Sequence, residues 1–233
     1  MHPGYRAQGI LVKLLFVADP LDRFKVYKDS TYAMMAEAAA RGHGLAACEG
    51  RDLAWRGGRV ESLACDVTLT GRLPDWHADG APAWRDLNDF DAVLMRKDPP
   101  FDQEYLYHTY LLELAETGGA RVFNRPAAIR DFNEKLAIGR FPRFTAPTLV
   151  TGRADLLRDF LAEYGDIILK PLNAMGGASV FRLRPGDANL NVIIETLTRH
   201  GAETVMAQRY IPEIKDGDKR ILIIDGAAVP YSL

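Results

Sequence analysis

"DIILKPLNAMGGASVFRL", Asp166 to Leu183, is the stretch that decides the fold. An apolar run ends in Lys170, a short loop carries the adjacent glycines Gly176 and Gly177, and a second run, "SVFRL", has strand character. The familiar phosphate loop, GxxxxGK[ST], puts its lysine after the glycines and leads into a helix. Here the lysine comes first and a strand follows. The pattern predicts a hairpin whose loop folds over an anion with backbone N–H groups facing it. Lys170 would project beyond the strand end, and the glycines would let the backbone approach a ligand closely. Read alone, the same residues fit an ordinary glycine-rich turn with a surface lysine better.

Outward from that hairpin, the second half reads as α+β. "RDFNEKLAIGRF" (130–141) is a short helical segment, "TLV" (148–150) a strand, and Thr151 to Tyr164 a helix. Asn189 to His200 has the spacing of a further amphipathic helix, and "TVMAQRYI" (204–211) is strand-like. "KRILIIDGAAVPYSL" (219–233) predicts a hairpin around Asp225-Gly226, a strong two-residue turn signal. The chain stops inside that apolar strand, which predicts a truncated chain.

The first half has a different texture. "LLFVA" (14–18) and "DAVLMR" (91–96) read as buried strands, with "ARVF" (120–123) as a third. "DSTYAMMAEAAARG" (29–42) predicts a helix capped by Asp29 or Ser30 and stopped at Gly42. "DQEYLYHTYLLELAETGG" (102–119) predicts another, capped by Asp102 and ended at Gly118. Strands alternating with helices argue for a parallel sheet with crossover helices. Residues 50–90 give no clear pattern. The boundary between the halves falls near 124–130, which divides the chain into an N-terminal extension (1–11), a first domain (12–128) and a second (129–233).

Bulk properties fit this layout. The 233 residues are 48% hydrophobic and 26% charged, enough for a sizeable core. The net charge of −2 offers no basic footprint for nucleic acid or an anionic membrane. Two cysteines, Cys48 and Cys65, form no CxxC and read as reduced thiols in a cytoplasmic protein. Five scattered histidines show no zinc spacing. Lys13 interrupts the early apolar run and no A-x-A site follows, so a first strand explains it better than a signal peptide.

Several charged groups sit where such a fold gathers ligands. "MRKDPPFD" (95–102) follows a strand, and the carboxyl ends of parallel strands are where ligands collect. Arg96 and Lys97 there suit a carboxylate, the Pro99-Pro100 pair stiffens the loop and admits a cis bond, and "KDS" (28–30) opens a helix whose N-terminus favours anions. In the second half, Lys135 of "NEKL" is a second candidate for one polyphosphate. "AQRYIPEIKDGDKR" (207–220) offers an extended backbone to an adenine edge, Tyr210 and Ile211 as an apolar wall, Asp218 for a ribose or metal site, and Arg220 for a phosphate or carboxylate. A stiff charged turn, a capped helix and a solvated loop would account for each of these segments taken singly.

Together, "MRKDPPFD", "NEKL", "IILKPL", "MGGAS", "AQRYIP", "IKDGDKR" and "DGAAVPY" resemble, in order and spacing, the bacterial glutathione synthetases of the ATP-grasp superfamily, from about Val12 to Leu233. The resemblance implies a Rossmann-like parallel-sheet (pre-ATP-grasp) domain followed by an α+β ATP-grasp domain whose C-terminal part is missing. It implies an ATP-dependent carboxylate–amine ligase in which a cysteinyl carboxylate attacks the γ-phosphate and glycine then attacks the acyl phosphate. Lys135 and Lys170 would contact ATP phosphates, and Gly176, Gly177 and Ala178 would belong to a closing loop. Gln208, Tyr210 and Ile211 would line the adenine pocket with Asp218 near the nucleotide. Lys28 and Arg96 would hold γ-glutamylcysteine, and Arg220 would act in catalysis on substrate or phosphoryl group.

The cofactors implied are ATP and Mg²⁺, with Mn²⁺ as an alternative metal, and the acidic and asparagine metal ligands would lie beyond Leu233. The partners implied are small molecules and, at full length, further copies in a homo-oligomer, with neither nucleic acid nor membrane. A different ATP-grasp ligase and a non-catalytic nucleotide-binding fragment are the alternatives.

Overall fold

The computed structural model describes residues 11–232. The proposed extension at 1–11 therefore lies, but for Leu11, outside the described residues. The chain divides into two units, the first ending at Ala137 and the second running from Ile138.

In the first unit the described elements are β1 (Lys13–Val17), α1 (Ser30–Ala40), β2 (Gly44–Cys48), β3 (Leu53–Arg56), β4 (Arg59–Leu69), β5 (His77–Asp79), β6 (Ala83–Asp86), β7 (Ala92–Met95), α2 (Gln103–Thr117), β8 (Val122–Phe123) and α3 (Pro126–Asp131). The sheet order is β3-β4-β2-β1-β7-β8, with β5 and β6 also paired to β4. β1 runs parallel to β2 and β7, and β7 parallel to β8. This is the expected parallel sheet.

β1 shows why its apolar run does not alternate. Leu15 and Val17 pack with Leu112 and Ala115 of α2, while Phe16 packs with Met35 and Ala38 of α1 on the opposite face. A central parallel strand covered by helices on both sides buries every residue, and all three are fully buried. The caps fall as read: the Asp29 carboxylate accepts from the N–H groups of Thr31 and Tyr32, and that of Asp102 from Tyr105.

Residues 50–90 supply what the sequence left blank, an antiparallel extension in which β4 pairs with β2, β3, β5 and β6. Gly57 and Gly58, at φ +57° and +85°, make the left-handed two-residue turn between β3 and β4.

The first unit, which ends at Ala137, includes α3. Arg130 donates to Thr109 of α2 at 3.3 Å, stacks over the Tyr110 ring at 4.4 Å and pairs with Glu113.

The second unit contains β9 (Thr148–Thr151), α4 (Ala154–Tyr164), β10 (Ile167–Pro171), β11 (Phe181–Leu183), α5 (Leu190–Thr198), β12 (Val205–Arg209), β13 (Ile221–Ile224) and β14 (Ala227–Ser232). An antiparallel sheet runs β11-β10-β12-β9. Its core joins Ile167, Leu169, Leu183, Val205 and Ala207 from the sheet to Leu157, Phe160 and Leu161 of α4 and Ile194 of α5. β13 and β14 form a separate two-stranded hairpin, turned by Asp225 at φ +50° and Gly226 at φ +77°.

Candidate functional site

Strand alternation divides the second unit's sheet into two faces. Ile167 and Leu169 of β10 point into the core, so Asp166, Ile168 and Lys170 share the other face. Register carries that face across the neighbours: Ile168 lies opposite Arg182 of β11 and Gln208 of β12, Lys170 opposite Met206, and Gln208 opposite Thr148 of β9. Two of the residues read as nucleotide contacts, Lys170 and Gln208, thus meet on one surface. The Lys170 ammonium donates to Gln208 Oε1 at 2.7 Å, and Gln208 Nε2 donates to Thr148 Oγ1 at 2.9 Å. That chain orients the lysine along the sheet face beside the hairpin loop.

The loop connects β10 to β11. Gly176 and Gly177 have φ of +66° and +77°, and nothing lies within 4 Å of where a Cβ would sit on either. Ala178 N–H donates to the Met175 carbonyl at 3.2 Å and Val180 N–H to that of Gly177 at 3.4 Å, a turn held by its own backbone. Residues 175–180 are exposed. A glycine turn with open space around both glycines can change conformation without breaking a core.

Tyr210 leaves β12 with its N–H on the Asp166 carbonyl at 2.9 Å. Its ring lies under the Arg182 guanidinium, 3.5 Å from the centroid. Asp166 takes Arg182 on both oxygens, at 2.8 and 2.7 Å, and Arg184 at 3.0 Å. These guanidinium hydrogen bonds, Arg182 first, hold its carboxyl down at about 2. Ile211 is half exposed. Asp218 and Arg220 stand on exposed backbone after the helical turn Pro212–Asp216.

The remaining expected residues fall in the first unit. Lys135 pairs with Glu134 at 2.6 Å in a turn whose N–H groups, Lys135 and Leu136, are held by Asn133 Oδ1 at 3.0 Å. Arg96 leaves β7 and reaches the start of α1, donating through Nε to Thr31 Oγ1 at 3.1 Å and through Nη2 to Ser30 Oγ at 2.9 Å. Lys28 is exposed, just ahead of the Asp29 cap. Lys97 is engaged by Asp19 at 3.2 Å, and Asp19 also accepts the Asp98 N–H at 2.7 Å. Burial, then the Asp19 and Asp29 charges, pushes the Asp98 carboxyl up. The Pro99-Pro100 bond is cis.

Sequence reading passed over Asp19, Asp98, Asp166 and Arg182. Asp19 closes the first strand at its carboxyl end, a placement that points to a site. Asp166 and Arg182 sit at alternating positions with Lys170 across the hairpin, a signal readable only once the register is fixed. Among the described residues no group of three or more His, Cys, Asp or Glu side chains is placed to hold a metal ion.

Comparison with known proteins places the chain in a family. Residues 12–130 match the family model for the prokaryotic glutathione synthetase N-terminal domain, and residues 134–233 that for its ATP-grasp domain. The chain is 57% identical over 222 residues to a glutathione synthetase of Ralstonia nicotianae, covering 95% of this chain and 68% of the relative. It is 57% identical over 225 residues to one of Nitrosomonas europaea, covering 95% and 70%. The chain therefore spans about two thirds of the length of these curated relatives.

Among solved structures, D-cycloserine synthetase DcsG superimposes with TM-score 0.60 at 17% identity, covering 93% of this chain and 65% of that one. A RimK domain ATP-grasp protein from Sphaerobacter thermophilus gives 0.56 at 24%, covering 86% and 65%. These two likenesses speak for the fold.

Proposed function

This chain belongs to the prokaryotic glutathione synthetase family, and from that premise we propose that it serves the ATP-dependent ligation of γ-glutamylcysteine to glycine. The observation that carries the nucleotide half is the meeting of Lys170, Gln208 and Thr148 on a sheet face beside an uncrowded glycine loop. A carboxylate is a poor electrophile. Its oxygen attacks the γ-phosphorus, the bond to the β-bridging oxygen breaks, and ADP leaves. The glycine amine then adds to the acyl phosphate and expels phosphate.

The proposed work of this chain's own residues is charge neutralisation and alignment. Lys170 and Lys135 hold phosphate oxygens. Gly176, Gly177 and Ala178 close over them and exclude water from the acyl phosphate. Gln208, Tyr210 and Ile211 receive the base, with Asp218 beside the nucleotide. Arg96, already tied to the start of α1, and Lys28 receive the substrate's carboxylate groups, and Arg220 the phosphoryl group or substrate.

The family reading brings Mg²⁺ or Mn²⁺ with ATP. Among the described residues no group of three or more His, Cys, Asp or Glu side chains is placed to hold the metal. Free thiols at Cys48 and Cys65 suit a reducing, cytoplasmic setting, and burial pushes the Cys48 thiol up to about 12. A homo-oligomer belongs to the same proposal and is measured by sedimentation.

Phosphate release is the test, from this chain and from a chimera completed to the length of the Ralstonia nicotianae relative, purified from a host without its own enzyme. The reading requires release from the chimera that depends on ATP, γ-glutamylcysteine and glycine together. Turnover with D-alanine or glutamate acceptors instead would assign a different ATP-grasp ligase. ADP binding with no turnover in either would leave a nucleotide-binding module.

A further inference from the structure

Three strands converge on one carboxylate at the base of the glycine hairpin. Asp166 stands just before β10, the strand that enters the loop. Arg182 is the second residue of β11, the strand that leaves it, and grips both Asp166 oxygens. Tyr210, at the exit of β12, donates its N–H to the Asp166 carbonyl and presents its ring to the same guanidinium. A planar guanidinium can satisfy a carboxylate with its edge and an aromatic ring with its face at once, which an ammonium cannot.

We propose that Arg182 is a positioning residue that couples the glycine loop to the segment receiving the nucleotide base, through the Asp166 carboxylate and the Tyr210 ring. Arg182 touches neither phosphate nor base in this assignment. A closure that shifts β11 shifts the guanidinium and, through it, Tyr210. A base seated against Tyr210 in turn fixes the strand on which the loop closes. Arg184, also on Asp166 at 3.0 Å, keeps the carboxylate anchored while Arg182 is shared with the ring. The nucleotide half of this coupling rests on the function proposed above; the mechanical half does not.

Two measurements separate the halves. In hydrogen exchange without nucleotide, Arg182→Met should speed exchange at residues 176–180 and at Tyr210–Ile211 together, and leave α4, α5 and the first unit unchanged. Arg182→Lys, which keeps the charge and loses the fork, should fall between. In binding, Arg182→Met should weaken ADP by roughly five- to tenfold, the scale of one cation–π contact with its attendant order, and leave inorganic tripolyphosphate within about twofold. Tyr210→Leu should copy the ADP loss with the ion pair intact. Equal losses for ADP and tripolyphosphate would make Arg182 a phosphate ligand and overturn the proposal. So would exchange that rises in the loop alone, or throughout the second unit. A wild-type chain that binds neither probe sinks the nucleotide reading, and the exchange pattern still decides the coupling.

Discussion

The four-stranded sheet and the β13–β14 hairpin are built from the same kind of sequence and end in opposite states. In the sheet, Leu169, Leu183, Val205 and Ala207 are wholly buried. In the hairpin, Ile221, Leu222, Ile223 and Ile224 are 57–64% exposed, although the Asp225-Gly226 turn and the β-branched run favour strand pairing as strongly as anything in the sheet. Strand propensity and turn chemistry act locally and make a pair of strands. Burial needs a second layer, which α4 and α5 supply for one and nothing among the described residues supplies for the other.

The largest expected effect tests the buried side of that contrast. Leu169→Ala removes a fully buried side chain from the α4–α5 core and should cost about 2–5 kcal/mol in the second unit. All three tryptophans, Trp55, Trp76 and Trp84, lie in the first unit. Far-ultraviolet dichroism should therefore show an early urea transition while tryptophan fluorescence stays put. Coincident shifts in both signals would mean that the units unfold as one.

One residue along, the same strand turns from packing to a proposed nucleotide contact. Lys170 faces away from the core and is held by Gln208. Lys170→Met should leave the dichroism transition nearly in place and weaken ADP binding by ~1.5–3 kcal/mol, the worth of a hydrogen bond to a charged group. Calorimetry showing unchanged ADP affinity would remove Lys170 from the site.

Glycines repeat the contrast between crowded and open positions. A Cβ on Gly50 would stand 2.4 Å from His108 Nδ1, whereas Gly176 and Gly177 have nothing within 4 Å. Gly50→Ala should destabilise the first unit by ~1–3 kcal/mol through overpacking, read by tryptophan fluorescence in urea. Loss of less than half the lower figure would show that the α2 helix shifts to make room.

What the sequence disclosed follows the same division between local and distant causes. The caps at Asp29 and Asp102, the Asp225-Gly226 turn and the apolar run Leu14 to Val17 of β1 are local signals, and each is where it was read. β3 and β4 carried an equally local one in Gly57-Gly58, obscured because the flanking strands lack a clean period. β4 pairs with four different strands and its burial changes phase near Cys65. Among the candidate site residues, Lys170 is legible because a glycine loop follows it. Arg182 is not, since its meaning depends on Tyr210 and Asp166, 28 and 16 positions away, and only register brings them together.

A smaller effect concerns His108, against which Gly50 packs. Its Nδ1 is buried without a hydrogen-bond partner among the described residues. Burial lowers its pKa, with Lys97 acting the same way and Glu104 and Asp102 opposing. The unfolded chain then binds a proton that the folded chain refuses. Stability from this group is present above the unfolded value of ~6.5 and is lost as the pH falls through it toward the depressed folded value. One proton sets the ceiling at about 1.4 kcal/mol per pH unit. His108→Gln should flatten the urea-midpoint slope of the first unit between pH 7 and 5. An unchanged slope would assign the acid sensitivity to other groups.

The smallest expected effect returns to the hairpin. Ile223→Thr keeps a β-branched residue in β13 and trades apolar surface that already faces solvent. With no core contact to lose, its cost should stay within ±0.5 kcal/mol, at least about fourfold less than Leu169→Ala on an equally strand-like residue. Its consequence should appear elsewhere. Four consecutive apolar residues on a two-stranded sheet make a patch that invites association between chains. The substitution should therefore lower light scattering on concentration while leaving the dichroism transition in place. A loss as large as that for Leu169→Ala would show that the hairpin is packed against a partner in solution, and the contrast between the two regions would collapse.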